Sequence, residues 1–174
     1  MLMSQESSIL TAFVCANCAR SGRPPALAGL VKPILPEFGW PGHVRQVPVP
    51  CTGRLQPENV LRAFEAGSSI VAVVACREDN CHYMEGSRRC SRRIEYIRSL
   101  LKEIGLEEGR LLLFHLPGSA SEDLAVTAGK KGSNNGSSSV EARISEIRDE
   151  AMRAFHLYPQ SPLQRDDLKE EKHE

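Results

Sequence analysis

Three apolar, β-rich runs in this chain each give way to a cysteine, and that coincidence constrains the fold more than any other feature. Ile9–Val14 runs into Cys15, Val44–Val49 precedes Cys51, and Ser69–Ala75 runs into Cys76. A fourth run, Arg110–Phe114, ends at His115. Short apolar runs of this kind read as strands. The third is so continuously hydrophobic that it suits a central parallel strand covered on both faces. Helical patterns separate the runs, and alternating strands and helices imply a parallel sheet with right-handed crossovers. The expected fold class is therefore α/β: a small doubly wound, flavodoxin-like sheet of about four strands. In such sheets ligands collect beyond the carboxyl ends of the strands. The cysteine-bearing loops fall at that edge.

Between the strands, Pro57 suits a first helical turn, Val60, Leu61 and Phe64 form an apolar stripe, and Gly67 is placed to end the helix. Ile94, Ile97, Leu101 and Ile104 repeat at helical spacing up to Gly105. The Pro- and Gly-rich crossover from Pro25 to His43 leaves room for a short helix near Ala26–Val31. Residues 129–139 are Gly-, Ser- and Asn-rich, which favours a flexible linker. Ser138 and Glu141 fit a capping box for a final amphipathic helix carrying Ile144, Ile147, Ala151, Met152 and Phe155. The expected organisation is an α/β domain over 1–128, a linker over 129–139, a helix over 140–158 and a charged, disordered tail over 159–174. A chain of 174 residues accommodates one domain of ordinary size plus a tail.

The 22 basic and 22 acidic residues cancel, so no overall field draws the chain to nucleic acid or to an anionic membrane. No apolar run reaches the roughly 20 residues of a membrane-spanning helix, and the first residues lack the pattern of a signal peptide. A cytoplasmic location is expected. Six cysteines in that setting point to metal binding or redox chemistry before disulfides, because cytosolic thiols are kept reduced.

Their spacing narrows the choice. Cys15 and Cys18 form a C-x-x-C pair after the first strand, Cys51 follows the second, and Cys76 and Cys81 bracket the loop after the third. Four thiolates suit either a closed zinc site or an iron–sulfur cluster. With only one short knuckle and the other thiols on separate loops, the spacing leans toward a cluster. Two rivals stay open: a zinc-stabilised module that scaffolds partner proteins, and a thiol–disulfide oxidoreductase using Cys15 and Cys18 as its dithiol. The latter leaves Cys51, Cys76 and Cys81 without a role.

Phe13-Val14-Cys15-Ala16-Asn17-Cys18, Val49-Pro50-Cys51-Thr52-Gly53-Arg54, and Ala75-Cys76-Arg77-Glu78-Asp79-Asn80-Cys81-His82-Tyr83 with Arg92-Arg93 beyond it together resemble the delta subunit of methyl-viologen-reducing hydrogenase, a hydrogenase iron–sulfur subunit. The resemblance spans about residues 9 to 120. Its most specific parts are Cys-x-Gly-Arg and Cys-x4-Cys-His-Tyr. It implies a 2Fe–2S cluster held by four of Cys15, Cys18, Cys51, Cys76 and Cys81. It also implies a non-catalytic relay of electrons from a hydrogenase or formate dehydrogenase-like module to a heterodisulfide reductase-like flavin complex. The chain departs from the family where Ala16-Asn17 replaces an aromatic residue inside the first C-x-x-C. It departs again where Ala-Cys-Arg-Glu-Asp-Asn replaces Gly-Cys-His-Pro-Gly-Asp before Cys81.

Other residues carry competing readings. His82 is a candidate hydrogen-bond donor to a cluster sulfur or a turn-packing residue, and Arg54 is a candidate donor to the cluster or a solvated charge. His115 reads as an ordinary rim residue and Cys90 as a semi-buried helix residue. Arg88, Arg89, Arg92, Arg93 and Arg98 make the helix after Tyr83 basic, either as a docking face for an acidic partner or as a solvated face. Trp40 is an interface anchor or a core plug.

Overall fold

The computed structural model describes residues 8–19, 42–116 and 135–163, and within them all side chains but those of 18–19, 80 and 135–144. Four parallel strands form one sheet: β1 (Ile9–Cys15), β2 (His43–Val49), β3 (Ser68–Cys76) and β4 (Leu111–Leu116), in the order β2-β1-β3-β4. The doubly wound α/β expectation holds. The helices are a single turn α1 (Ala16–Ala19), then α2 (Pro57–Glu65), α3 (Gly86–Glu103) and α4 (Asn135–Leu157). Helices α2 and α3 give way to turns in which Gly67 and Gly105 take φ of 90° and 79°, a region open to glycine at little cost. The short helix expected over 26–31 and Trp40 lie outside the described residues.

Period-two alternation sorts the apolar side chains onto two faces. Leu10, Ala12, Val14, Ile70, Ala72, Val74, Leu112 and Phe114 pack against Ile147, Ala151, Ala154 and Phe155 of α4. Phe13, Val71, Val73, Ala75 and Leu111 pack against α2 and α3 through Val60, Phe64, Ile94, Ile97 and Leu101. All nine residues of β3 are buried, as a strand covered on both faces requires. The final helix is thus part of the same core.

Two boundaries differ from the expectation. Helix α4 starts at Asn135, so residues 135–139 of the anticipated linker are helical and Ser138 lies inside the first turns. Asn and Ser are as much at home at a helix start as in a loop, and composition does not separate the two. Residues 159–163, expected to open a disordered tail, pack on the body: Ser161 is buried, and the Gln160 carbonyl accepts a hydrogen bond of 2.8 Å from Arg110. Arg110 is only 8% exposed. It also donates to the Ser69 carbonyl at 3.1 Å and to the Glu107 carboxylate at 2.7 Å, and its guanidinium lies 4.7 Å over the Tyr158 ring. That guanidinium holds the Glu107 carboxyl below its ordinary value. Nearby, Ser8 meets Ser69 at 2.9 Å and Thr11 meets Ser68 at 2.7 Å. The amino end of the sheet is thereby closed by hydrogen bonds, and the carboxyl end is left to the cysteines.

Candidate metal centre

Parallel pairing aligns the carboxyl ends of the strands, with Val14 opposite Val74 and Cys15 opposite Val49. Cys15 and Cys76, at the ends of neighbouring strands, have their Sγ atoms 3.6 Å apart, and each is 1% exposed. Cys51 and Cys81 form a second pair. Both thiols crowd against the Gly86 Cα, where a Cβ would stand 2.6 Å from the Cys51 Sγ and 3.2 Å from the Cys81 Sγ. The two pairs interact: burial pushes the Cys51 thiol up, a hydrogen bond from the Gly53 backbone pulls it down, and the charges of Cys15 and Cys81 raise it further. Among the described residues no group of three or more His, Cys, Asp or Glu side chains closes on a single ion.

The loop that carries Cys51 is pinned from α3. Arg93 donates to the Gly53 carbonyl at 2.9 Å and to the Leu55 carbonyl at 2.7 Å. Gly53 in turn lies so near Gly86 that a Cβ there would stand 2.6 Å from the Gly86 carbonyl oxygen. Only glycine fits at position 53, so the turn after β2 and the start of α3 touch backbone to backbone. The Ser87 hydroxyl donates to the Cys76 carbonyl, and His115 Nδ1 lies 2.9 Å from that same oxygen and 3.3 Å from the Ser87 Oγ. His115 is therefore a rim residue that helps to fix the end of β3. Cys90 is 1% exposed beneath this region, with its thiol pushed up to about 11 by burial against a hydrogen bond with Thr52. It is more deeply buried than the sequence suggests.

The remaining candidates separate. The backbone of Cys18 lies in α1; its side chain lies outside the description. Arg54 is exposed and, with Cys51, Tyr83, Met84, Gly86 and Arg89, lines a cavity of about 450 Å³. His82 is exposed and stands edge-on to Tyr83 at 4.9 Å; no hydrogen bond joins it to a described thiol. Of the five arginines, Arg93 turns inward as above, and Arg98 donates to the Leu111 carbonyl at 2.9 Å. Arg88, Arg89 and Arg92 face solvent, Arg89 paired to Glu85 at 2.7 Å. Gly86 and Ser87 escape sequence reasoning, because a Gly-Ser step carries no signal until its neighbours in space are known.

A parallel α/β sheet whose strand ends gather four thiols in two pairs defines a class of thiolate-donor redox or metal proteins. Two thiolates bound tetrahedrally at about 2.3 Å stand about 3.7 Å apart, so the Cys15–Cys76 spacing already fits ligation of one metal atom, and the donor set fits iron–sulfur chemistry. The chain belongs to the family of the delta subunit of methyl-viologen-reducing hydrogenase, whose model matches residues 10–131. It is 32% identical over 126 residues to the F420-non-reducing hydrogenase vhu iron–sulfur subunit of Methanopyrus kandleri, covering 72% of this chain and 89% of that one. The F420-non-reducing hydrogenase iron–sulfur subunit of Archaeoglobus profundus is 38% identical over 83 residues, 48% of this chain and 61% of that one. A subunit of the ferredoxin:CoB-CoM heterodisulfide reductase of Methanosarcina mazei is 30% identical over 118 residues, 68% of this chain but only 14% of that much longer one. No described helix is long and apolar enough to cross a membrane.

Proposed function

We propose that this chain is a non-catalytic electron-transfer subunit that carries a 2Fe–2S cluster on Cys15, Cys76, Cys51 and Cys81. The observation that carries the reading is the division of the thiols into two pairs, one for each iron of such a cluster. Cys18, the fifth family cysteine, is not needed to complete that ligand set. When bound, the cluster supplies a one-electron acceptor and donor. The chain's own residues do the rest: β1 and β3 bury one thiol pair, the Cys51 turn and α3 hold the other, and Arg93 keeps that turn in place. Arg54 is the proposed hydrogen-bond donor to the cluster edge; His82, exposed beside Tyr83, is the proposed outer partner of Cys81.

The proposed partners are a hydrogenase or formate dehydrogenase-like donor and a heterodisulfide reductase-like flavin complex. Relatives named as hydrogenase iron–sulfur subunits, and a heterodisulfide reductase chain that contains a similar stretch within a greater length, support that reading. The proposed compartment is the cytoplasm, where thiols stay reduced and available to iron.

Protein purified without oxygen is expected to be red-brown and to gain a paramagnetic signal on reduction. Cys76→Ala is expected to lose the colour together with most of the bound iron. A colourless protein holding one zinc ion identifies the scaffold reading instead. If Cys76→Ala spares function and Cys15 and Cys18 alone are required, a dithiol enzyme replaces both.

The outward arginines make a second expectation. Neutralising Arg88, Arg89 and Arg92 together should weaken assembly with the partner complex by about tenfold at low salt, and by less as salt screens the charges, because rim charges act mainly on association. Iron content should not change. Equal affinity at low salt would remove the basic face from the docking surface.

A further inference from the structure

The two thiol pairs sit in unequal surroundings. Cys15 and Cys76 are sealed at 1% exposure on the sheet face covered by α4. Cys51 borders the 450 Å³ cavity, and Cys81 is partly exposed. Around this second pair the chain places groups that favour negative charge. The first turn of the 18-residue helix α3, uncapped by any side chain, reaches both sulfurs through Gly86. Such a turn presents free N–H groups and the positive end of the helix dipole. The Arg54 and Arg89 side chains line the same cavity. The charge of Arg89 is largely offset by Glu85, whereas the Arg54 side chain has no ion-pair or hydrogen-bond partner among the described residues.

Reduction of a 2Fe–2S cluster adds one negative charge, which settles where hydrogen bonds and positive potential stabilise it most. Resting on the cluster reading above, we propose that Cys51 and Cys81 hold the iron that receives the electron, and that Cys15 and Cys76 hold the iron that stays ferric. A one-electron donor, a reduced flavin or iron–sulfur centre of the partner, is oxidised by one electron. The iron on Cys51 and Cys81 passes from ferric to ferrous, no bond to the protein forms or breaks, and no proton moves. The cavity beside Cys51 is the short way out to solvent from that iron, so the electron arrives where the partner approaches.

Mössbauer spectroscopy of the full chain, loaded with isotopically enriched iron and reduced with dithionite, tests this. Cys81→Ser is expected to shift the ferrous doublet and spare the ferric one, and Cys76→Ser the reverse. The unaltered protein gives a second measurement if a serine variant loses iron: cysteine β-proton resonances should move to larger shift on warming for Cys51 and Cys81, and to smaller shift for Cys15 and Cys76. The opposite assignment, or four equivalent cysteines, overturns the proposal while leaving the electron-transfer reading intact. A protein that binds no iron overturns both.

Discussion

Gly86→Ala is expected to leave the fold standing while bound iron falls by at least about tenfold. The added methyl would stand 2.6 Å from the Cys51 Sγ and 3.2 Å from the Cys81 Sγ, closer than unbonded sulfur and carbon approach. In the iron-free chain a cysteine side chain escapes such a contact by rotating about one bond. A cysteine that must ligate iron has no such freedom, so the methyl and the ligated geometry compete for one space. Gly86 is the first residue of α3, outside the helix interior where alanine is favoured over glycine. Stability of the iron-free protein should therefore hold while iron content falls, a combination that general damage does not produce. Metal analysis beside circular dichroism and thermal unfolding reads both. Full iron content in Gly86→Ala would mean that Cys51 or Cys81 does not ligate.

Arg110→Leu is the other large effect, and it concerns stability. The replacement retains some apolar bulk but strands the Ser69 and Gln160 carbonyls and removes the cation over Tyr158. Removing one partner from a buried, charge-assisted network costs about 3–5 kcal/mol. In a chain of this size that lowers Tm by about 10 °C. Glu107 is a built-in comparison. Its side chain is 52% exposed, so Glu107→Gln should cost less than about 1 kcal/mol. A fall of under about 3 °C for Arg110→Leu would show that residues 158–161 are not anchored through this guanidinium. Because Arg110 lies at the amino end of the sheet, away from the thiols, iron content should not change in either variant while it stays folded.

What can be read in advance follows from which forces act locally. Strand ends at Cys15, Cys51 and Cys76 are legible because a strand announces itself by its own apolar residues. The pairing of the thiols is not. Cys15 meets Cys76 because β1 lies between β2 and β3, and strand order is decided by crossovers that no single run encodes. On a helical projection Arg88 and Arg92 lie opposite the apolar stripe of α3, whereas Arg93 and Arg98 flank it on either side. They turn inward because carbonyls of the Cys51 turn and of β4 stand within reach, acceptors that exist only once the chain has folded. The start of α4 is hidden because its opening residues are as good for a loop as for a first helical turn.

Among the described residues strand β2 is the margin of the sheet, hydrogen-bonded only to β1, and it carries Pro48, which has no N–H to give. Cys51 hangs from the end of that margin, whereas Cys15 and Cys76 end strands flanked on both sides. Fraying is easiest at a border. Chelators and oxygen would thus gain access from the Cys51 side first, and slow amide exchange along His43–Val49 would be the sign of a well-loaded protein. For a cluster held on these four thiols, the lifetime would then be governed by the weakest seam of the sheet and not by its buried middle.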